Sequence, residues 1–251
     1  MLVVWSRAGL ANRLHALINA LYLQQKTNRV VYSCWPLNEH LRVSAVELFQ
    51  YPLPLIEERL ARDMLQAPLS HVCRFLETQR PTTNVSVRTP LVLEEIPSSF
   101  IREVLKGVVW HPALLERVKV ERLRYSLNDQ TIGIHARGTD ITSLPQLQIE
   151  VKKALMICSG SSKILICSDE PQVLGDIVNP RIVRTACGSR HTLEGMKQAV
   201  VDLLLLSGTK IRYYSPMSTY SWIAISLSNA PLHLIPRRQI KGVLKELYQA
   251  V

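Results

Sequence analysis

A histidine, an arginine and an aspartate follow a short apolar run in the middle of the chain. The run covers residues 132–134, and His135, Arg137 and Asp140 come directly after it. This order is typical of a buried parallel strand whose carboxyl end opens into a binding site. A guanidinium at such an end can hold a phosphate with two parallel hydrogen bonds. The pattern therefore predicts an anion site at Arg137, although a turn closed by an Arg137–Asp140 ion pair explains the same residues.

Polar residues follow two later apolar runs in the same way. Ser168, Asp169 and Glu170 come after one run, and a segment beginning with Ser218 and Thr219 comes after another. Because the carboxyl ends of parallel strands meet at one edge of a sheet, we expect all three groups to lie close together. A helix starting at the serine–threonine pair would offer backbone N–H groups and hydroxyls to an anion. The alternatives are an ordinary helix N-cap there and a post-strand turn at Asp169.

One carboxylate, Asp202, interrupts the apolar stretch at residues 199–206. A buried carboxylate needs hydrogen-bond donors, and the edge of a guanine base offers two N–H donors. The position therefore favours a role in recognising guanine, while a solvent-facing or capping carboxylate is the alternative.

Near the amino terminus, Gly9, Asn12 and Arg13 lie between a predicted strand and a predicted helix. A glycine at this point lets the backbone turn tightly and approach a ligand. One glycine is too few for a dinucleotide-binding fingerprint, and the ending of a phosphate-binding loop is absent. The alternative is that Asn12 and Arg13 belong to an ordinary capped first turn of the helix.

The elements that must position these groups alternate between strands and helices. Short apolar runs predict buried strands, and apolar residues spaced three or four apart predict helices, so the chain is expected to be of the α/β class. The predicted strands are residues 2–5, 30–34, 85–87, 91–93, 132–135, 163–167, 181–184, 211–214 and 232–235. The predicted helices are residues 11–25, 46–49, 55–65, 98–106, 113–126, 147–158, 171–177, 192–206, 222–227 and 240–250.

Length and charge restrict the classes of function. The 251 residues suffice for two small domains, and we place the boundary between residues 112 and 113. A net charge of +10 favours an anionic partner such as nucleic acid, an anionic membrane surface or a nucleotide-type substrate. The basic residues are scattered, however, and 6% aromatic residues argue against a stacking surface for single-stranded nucleic acid.

The five cysteines form no CxxC pair, and their neighbours are mostly apolar. We interpret them as reduced thiols in a reducing compartment, which predicts a cytoplasmic protein without a disulfide frame or a cysteine-bound metal. The first residues are not those of a signal peptide, and no apolar run is long enough to span a membrane.

Four segments together resemble the GDP-fucose-dependent fucosyltransferases, a family with nodulation and core α1,6-fucosyltransferases and protein O-fucosyltransferases. Residues 9–14 resemble the family's GLGNRL opening, and residues 135–140 its H-x-R-R-x-D motif. Residues 168–170 resemble its TDD motif, and residues 202–207 with 218–221 its D-L-x-x-L-S…S-T-F-S ending. The segments stand in the family's order.

The resemblance implies a GT-B-like fold, in which two Rossmann-like domains have a cleft between them. Residues 1–112 would form the acceptor side, and residues 113–251 the nucleotide-sugar-binding domain. It further implies GDP-fucose as donor substrate, a glycan or another hydroxyl compound as acceptor, inversion at the sugar carbon, and no required metal or cofactor. Nucleic acid is not expected as a partner.

The resemblance also implies roles for particular residues. In the family the motif arginine holds the diphosphate, so this catalytic role is carried to Arg137. The motif histidine and the later aspartate read the guanine, which implies that role for His135 and Asp202. The further substrate-binding residues that the resemblance implies are Gly9, Asn12, Arg13, Asp140, Asp169, Ser218, Thr219 and Tyr220.

Three positions depart from the family pattern. Gly138 replaces the second motif arginine, Glu170 replaces an aspartate, and Pro145 stands where some relatives carry a candidate general base. The general base is therefore unassigned, with Asp140, Glu39, Glu94 and Glu95 as candidates. These departures keep a non-catalytic nucleotide- or sugar-binding protein as an alternative, and the net charge keeps a basic nucleic-acid-binding protein as another.

Overall fold

The computed structural model describes residues 1–137, 143–158, 162–186, 188–189, 191–214 and 218–228. In this part the chain forms two compact units, one containing Met1–Val109 and the other Trp110–Pro231. Each unit has its own parallel sheet with helices, which confirms the predicted α/β class. The predicted strand at residues 232–235 and helix at residues 240–250 lie outside the described residues, as do Gly138 and Asp140.

Five strands form the sheet of the first unit. They are β1 (Leu2–Trp5), β2 (Val31–Cys34), β3 (Leu55–Ile56), β4 (Leu65–Gln66) and β5 (Val85–Arg88). All are parallel, in the order β3-β2-β1-β5-β4. The helices of this unit are α1 (Leu10–Thr27), α2 (Glu58–Arg62), α3 (Val72–Thr78) and α4 (Ser98–Lys106), with a 3₁₀ turn at Ala45–Glu47.

Helix α1 packs on the central strands because its apolar residues recur at helical spacing. Leu14, Leu17 and Ile18 are each at most 1% exposed. The helix ends at Asn28, whose φ of 49° is the left-handed conformation that asparagine tolerates at a C-terminal cap. The packing of α1 on these strands holds the start of the helix behind β1, and this positions the loop between β1 and α1.

Four strands form the sheet of the second unit. They are β6 (Ile132–Ala136), β7 (Ile164–Ser168), β8 (Ile182–Arg184) and β9 (Lys210–Tyr214). They are parallel, in the order β8-β7-β6-β9. The helices are α5 (Pro112–Arg124), α6 (Leu144–Ile157), α7 (Leu193–Ser207) and α8 (Thr219–Leu227).

The two faces of β6 have different partners. Ile134 packs with Leu147 and Val151 of α6, and all three are fully buried. Side chains alternate along a strand, so Gly133 and His135 face the other side of the sheet. There a Cβ on Gly133 would overlap the hydroxyl of Thr209, which explains the glycine inside this apolar run.

The order of the second sheet creates a topological switch point between β6 and β9. The chain moves outward from β6 to β7 and β8, and then returns through α7 to place β9 on the other side of β6. In open α/β sheets, ligands bind outside the carboxyl ends of the strands at this point. The residues that follow β6 and β9 here are Arg137 and, at the start of α8, Ser218.

Three predicted elements are wrong. Residues 55–65 form β3, α2 and the start of β4 instead of one helix, because Leu55 and Ile56 pair with the edge of β2. Residues 91–93 form no strand, because the N–H groups of Leu91 and Leu93 bond to side chains. Residues 171–177 form successive turns, in which Gly175 takes a φ of 53°.

Candidate functional site

His135 connects the end of β6 to the first turn of α8. Its Nδ1 lies 2.5 Å from the hydroxyl oxygen of Ser221, and the imidazole is 7% exposed. Its ring also packs against the ring of Tyr220, with centroids 4.7 Å apart and an interplanar angle of 33°. The structure thus brings two of the three predicted strand ends together at the switch point.

The third strand end and Arg137 act on the same imidazole. Burial lowers the pKa of His135 to about 4, Asp169 after β7 opposes this shift, and Arg137 adds to it. Both charged groups therefore lie within electrostatic range of the ring, and the imidazole is neutral at pH 7. Both side chains are partly exposed, as groups at the mouth of a site would be.

Ser218 is the N-cap of α8. Its hydroxyl oxygen accepts a hydrogen bond from the backbone N–H of Ser221 at 3.3 Å, so the capping interpretation of Ser218 is confirmed. Thr219 and Tyr220 follow the cap in the first turn of α8, where the backbone N–H groups of a helix point towards its N-terminal end. The first turn contains no acidic residue, so the positive end of the helix dipole is not offset there. An N-cap and an anion site are thus compatible at this helix start.

Tyr220 uses its hydroxyl within the second unit. The hydroxyl donates to the backbone carbonyl of Ala199 in α7 at 2.5 Å, and burial of this group raises the pKa of Tyr220 well above its ordinary value. The hydroxyl therefore ties α8 to α7, while the ring supports His135.

Asp202 is buried, and each of its carboxylate oxygens accepts one hydrogen bond from its own chain. One carboxylate oxygen accepts from the hydroxyl of Thr185 at 3.0 Å, and the other accepts from the side-chain amide of Gln198 at 2.7 Å. Asp202 is 8% exposed, and burial raises its pKa to about 7 against the effect of these two bonds. The alternatives of a solvent-facing or capping carboxylate are therefore excluded.

Sequence reasoning missed the partners of Asp202. Gln198 precedes it by four residues on α7, a spacing at which helical side chains meet. Thr185 follows β8, and Arg117 of α5 donates to the side-chain oxygen Oε1 of Gln198. Only the Gln198 spacing was visible in the sequence, because Thr185 and Arg117 belong to other elements.

Arg13 is 1% exposed and binds backbone groups of the first unit. Its guanidinium donates to the carbonyls of Ala8 at 2.8 Å and Pro36 at 2.6 Å, and to the side-chain oxygen of Asn38 at 3.3 Å. It also lies 5.1 Å from the ring centre of Trp35, and burial lowers its pKa to about 10. Arg13 thus joins the loop after β1 to the loop after β2.

Asn12 begins a polar stripe on α1 that holds the segment after β5. The side chains of Asn12 and His15 bond to the carbonyl of Pro90 at 2.9 and 3.0 Å. One turn further, Asn19 donates to the carbonyl of Leu91 at 2.7 Å. The stripe places residues 90–93 next to the loop that begins α1.

Gly9 has an ordinary φ of −67°, so the tight turn does not require a glycine, contrary to the expectation from sequence. A Cβ added at Gly9 would meet no atom within 4 Å. The side of Gly9 on which a side chain would stand is therefore open.

The candidate bases lie in different surroundings. The side chain of Glu39 is 65% exposed, and its carboxylate lies 3.5 Å from Nε2 of His40. Glu94 and Glu95 are both exposed, and Asp140 lies outside the described residues. In the part of the chain that is described, no three His, Cys, Asp or Glu side chains are grouped as a metal site would require.

The described cysteines, Cys34, Cys73, Cys158 and Cys167, form no disulfide bond with one another. No helix among the described residues has the length and apolar character needed to cross a bilayer.

No protein-family model and no curated protein sequence matches this chain. Solved structures do match it. The fucosyltransferase NodZ from Bradyrhizobium aligns with 90% of this chain and 92% of its own, at 17% identity and a TM-score of 0.68. A further structure of NodZ, soaked with GDP-fucose, aligns over the same shares with a TM-score of 0.66.

Two other fucosyltransferase structures extend this similarity. A variant of Arabidopsis thaliana FUT1 in complex with GDP aligns with 90% of this chain and 68% of its own, at 13% identity and a TM-score of 0.57. POFUT1 in complex with GDP aligns with 92% of this chain and 96% of its own, at 11% identity and a TM-score of 0.54. The chain therefore has the GT-B-like α/β fold of the GDP-fucose-dependent fucosyltransferases, as its sequence motifs predicted.

Proposed function

We propose that this protein is a glycosyltransferase that transfers fucose from GDP-fucose to a hydroxyl group of a glycan or another acceptor. The observation that carries the proposal is the meeting of His135, Arg137 and the start of α8 at the switch point between β6 and β9. Structures of the same fold hold GDP or GDP-fucose. In this proposal the second unit binds the donor and the first unit forms the acceptor side.

The diphosphate would lie between Arg137 and the first turn of α8. The guanidinium can offer two parallel N–H groups to phosphate oxygens, and it stays charged at any working pH. On the other side, the start of α8 at Ser218, Thr219 and Tyr220 would present the positive end of the helix dipole to the phosphates. Asp169 and Asp140 would complete the polar surroundings of the donor.

The guanine would be read by His135 and Asp202. His135 is neutral at pH 7, because burial lowers its pKa to about 4, so it offers the base a hydrogen-bonding group without a second positive charge. Asp202 would accept the N–H groups on the edge of guanine. The substrate-binding roles of Gly9, Asn12 and Arg13 in the first unit stay predictions from the sequence motif.

The reaction would need charge stabilisation at the leaving diphosphate. As the bond from fucose to GDP breaks, positive charge develops on the sugar and negative charge on the diphosphate. Arg137 and the amides at the start of α8 would stabilise that charge where it forms. A general base would deprotonate the acceptor hydroxyl, which then attacks with inversion at the sugar carbon. In this scheme no metal ion is needed to offset the charge of the diphosphate.

The proposal is tested by calorimetric titration of GDP, with UDP as the competing nucleotide, into the wild-type protein and Arg137→Ala. We expect selective GDP binding in the wild type and a loss of about tenfold or more in affinity in the variant, the size of a lost charge-assisted contact. Turnover of GDP-fucose with a panel of glycan acceptors should fall roughly 10²-fold.

The matched control is Arg124→Ala, which removes an exposed arginine that packs over Tyr125 at the end of α5. It should bind GDP as the wild type does. Equal binding of GDP and UDP, or full GDP affinity in Arg137→Ala, would refute the donor site. Selective GDP binding without turnover on any acceptor would favour the non-catalytic alternative, which Pro145 at the position of a candidate general base allows.

A further inference from the structure

Four side chains form a continuous buried connection from the surface of α5 to the end of β8. Arg117 donates to the side-chain carbonyl of Gln198, whose amide nitrogen donates to Asp202 at 2.7 Å. The second oxygen of Asp202 accepts from Thr185 at 3.0 Å. Gln198 is 4% exposed, and the side chain of Arg117 is 34% exposed. Only the Arg117 end of this connection is therefore in contact with solvent.

The orientation of the Gln198 amide follows from its two neighbours. An arginine has only donors, so the side-chain oxygen of Gln198 must face Arg117. The amide nitrogen must then face Asp202. If the amide were reversed, an N–H group would face the guanidinium and an oxygen would face the carboxylate, and both contacts would be repulsive. Arg117 therefore fixes which end of Gln198 Asp202 meets.

The donors on Asp202 decide whether it can act as an acceptor. Burial raises its pKa to about 7, and the bonds from Gln198 and Thr185 oppose that shift. A protonated carboxyl presents one donor and loses the pair of equivalent acceptor oxygens that two N–H groups need. Each carboxylate oxygen has a further lone pair beyond the one that is used here, so Asp202 still has acceptor capacity.

Asp202 also acts on a residue that contacts His135. It acts electrostatically on Tyr220, whose ring packs on His135 at a centroid distance of 4.7 Å. The hydroxyl of the same tyrosine bonds to Ala199, three residues before Asp202 on α7. Asp202 is therefore related to the imidazole at the switch point through Tyr220.

We propose that Gln198, oriented by Arg117, is a positioning residue that keeps the Asp202 carboxylate ready to accept the N–H groups of a guanine base. This inference rests on the donor site proposed above. It assigns the discrimination between purine bases to the hydrogen bonds from Arg117 to Gln198 and from Gln198 to Asp202. Arg117 and Gln198 lie outside the segments that resemble the fucosyltransferase motifs.

The test compares GDP with IDP, which lacks the 2-amino group of guanine, by calorimetric titration. We expect the wild type to bind GDP about tenfold more tightly than IDP, since one N–H bond to a charged acceptor contributes about that factor. In Gln198→Leu and Arg117→Met this ratio should fall towards one. The double variant should lose no more than either single variant, because both changes remove the same link.

A purely structural role predicts a different result. If the four residues only hold α5, α7 and β8 together, the variants unfold at lower temperature and weaken GDP and IDP by the same factor, which leaves the ratio unchanged. Arg117→Met keeps the inference testable if Gln198→Leu does not fold, because Arg117 reaches the surface. Glu194→Gln is the matched control, since it removes the exposed partner of Arg117 at 3.6 Å and leaves Gln198 in place.

The outcomes separate the inference from the proposed function. A wild type that binds GDP selectively over UDP, with variants that keep the wild-type ratio of GDP to IDP affinity, would overturn the role of Gln198 and leave the donor site standing. A wild type that does not distinguish GDP from IDP would also overturn it. A wild type that binds no GDP would overturn both.

Discussion

His135 and Asp202 have pKa values that are shifted in opposite directions, although burial is the first cause of both shifts. Burial penalises the charged form, so it lowers the pKa of the imidazole to about 4 and raises the pKa of the carboxyl to about 7. Neutral His135 thus contributes stability above pH 6.5, which is lost as the pH falls towards 4. For Asp202 the sign is opposite. The carboxyl ionises at a lower pH in the unfolded chain than in the folded protein, so the stability it contributes is lost as the pH rises from about 4 to 7.

The contribution of Asp202 can be isolated by comparing the wild type with Asp202→Asn. Urea unfolding at about pH 5 and pH 8 should show the wild type losing roughly 2 kcal/mol relative to the variant over this range, at about 1.4 kcal/mol for each pKa unit. Other titrating groups are present in both proteins and cancel in the difference. The same stability difference at both pH values would contradict the shifted pKa. The charged or titratable groups that act on Asp202 are Arg117, Glu121, Tyr125, Cys167 and Tyr220.

At the scale of elements, the site depends on the placement of α8 behind β6. Two contacts fix it: the hydroxyl of Tyr220 on the carbonyl of Ala199 in α7, and the imidazole of His135 against Ser221 and the Tyr220 ring. Helix α7 packs on α8 and on the sheet, so it transmits the position of the strands to the helix start. The N–H groups at the start of α8 are therefore held next to the end of β6.

Substitutions of Tyr220 should separate these two contacts. Tyr220→Phe keeps the ring on His135 and removes only the bond to α7, so the free energy of unfolding should fall by about 1 kcal/mol. Tyr220→Ala also removes the ring and leaves a cavity, so the loss should reach about 3 kcal/mol. Both losses would be measured by urea unfolding, with Tyr125→Phe as a matched control. Equal losses in the two variants would show that the ring contact contributes nothing.

At the scale of the whole molecule, the net charge of +10 is compatible with a nucleotide-sugar donor and with nucleic acid. His135, Ser221 and Tyr220 come together at the switch point, and the fold matches that of solved fucosyltransferase structures. The number of phosphates that are neutralised distinguishes the two partners.

Salt dependence measures that number. Raising the salt concentration from about 50 to 200 mM should lower GDP affinity by less than about tenfold, because only two or three phosphate charges are involved. Duplex DNA that bound through many phosphates would lose about 10³- to 10⁵-fold over the same range. Calorimetric titrations with GDP and with a short duplex give both slopes. Tight DNA binding with the steep slope, unaffected by Arg137→Ala, would support the nucleic-acid-binding alternative.

The sequence by itself determined the class of fold and most of the elements that position the site. The strands β1, β6 and β7 were predicted to within a residue or two. Their sequences are short continuous apolar runs, which are typical of strands that are buried on both faces of a parallel sheet. The family motifs then predicted the fold that the structural comparison confirmed. The roles of the motif residues stay predictions.

Tertiary structure decided the strand order and the partners of the buried polar groups. His135 meets Ser221, which is 86 residues away in the sequence, and Asp202 meets Thr185 from another element. Arg13, which could have faced a ligand, bonds to backbone carbonyls of its own unit. Local sequence specifies which groups are polar and where strands end. Which donor satisfies which buried acceptor depends on contacts between distant segments, and these exist only after the sheets and helices have packed.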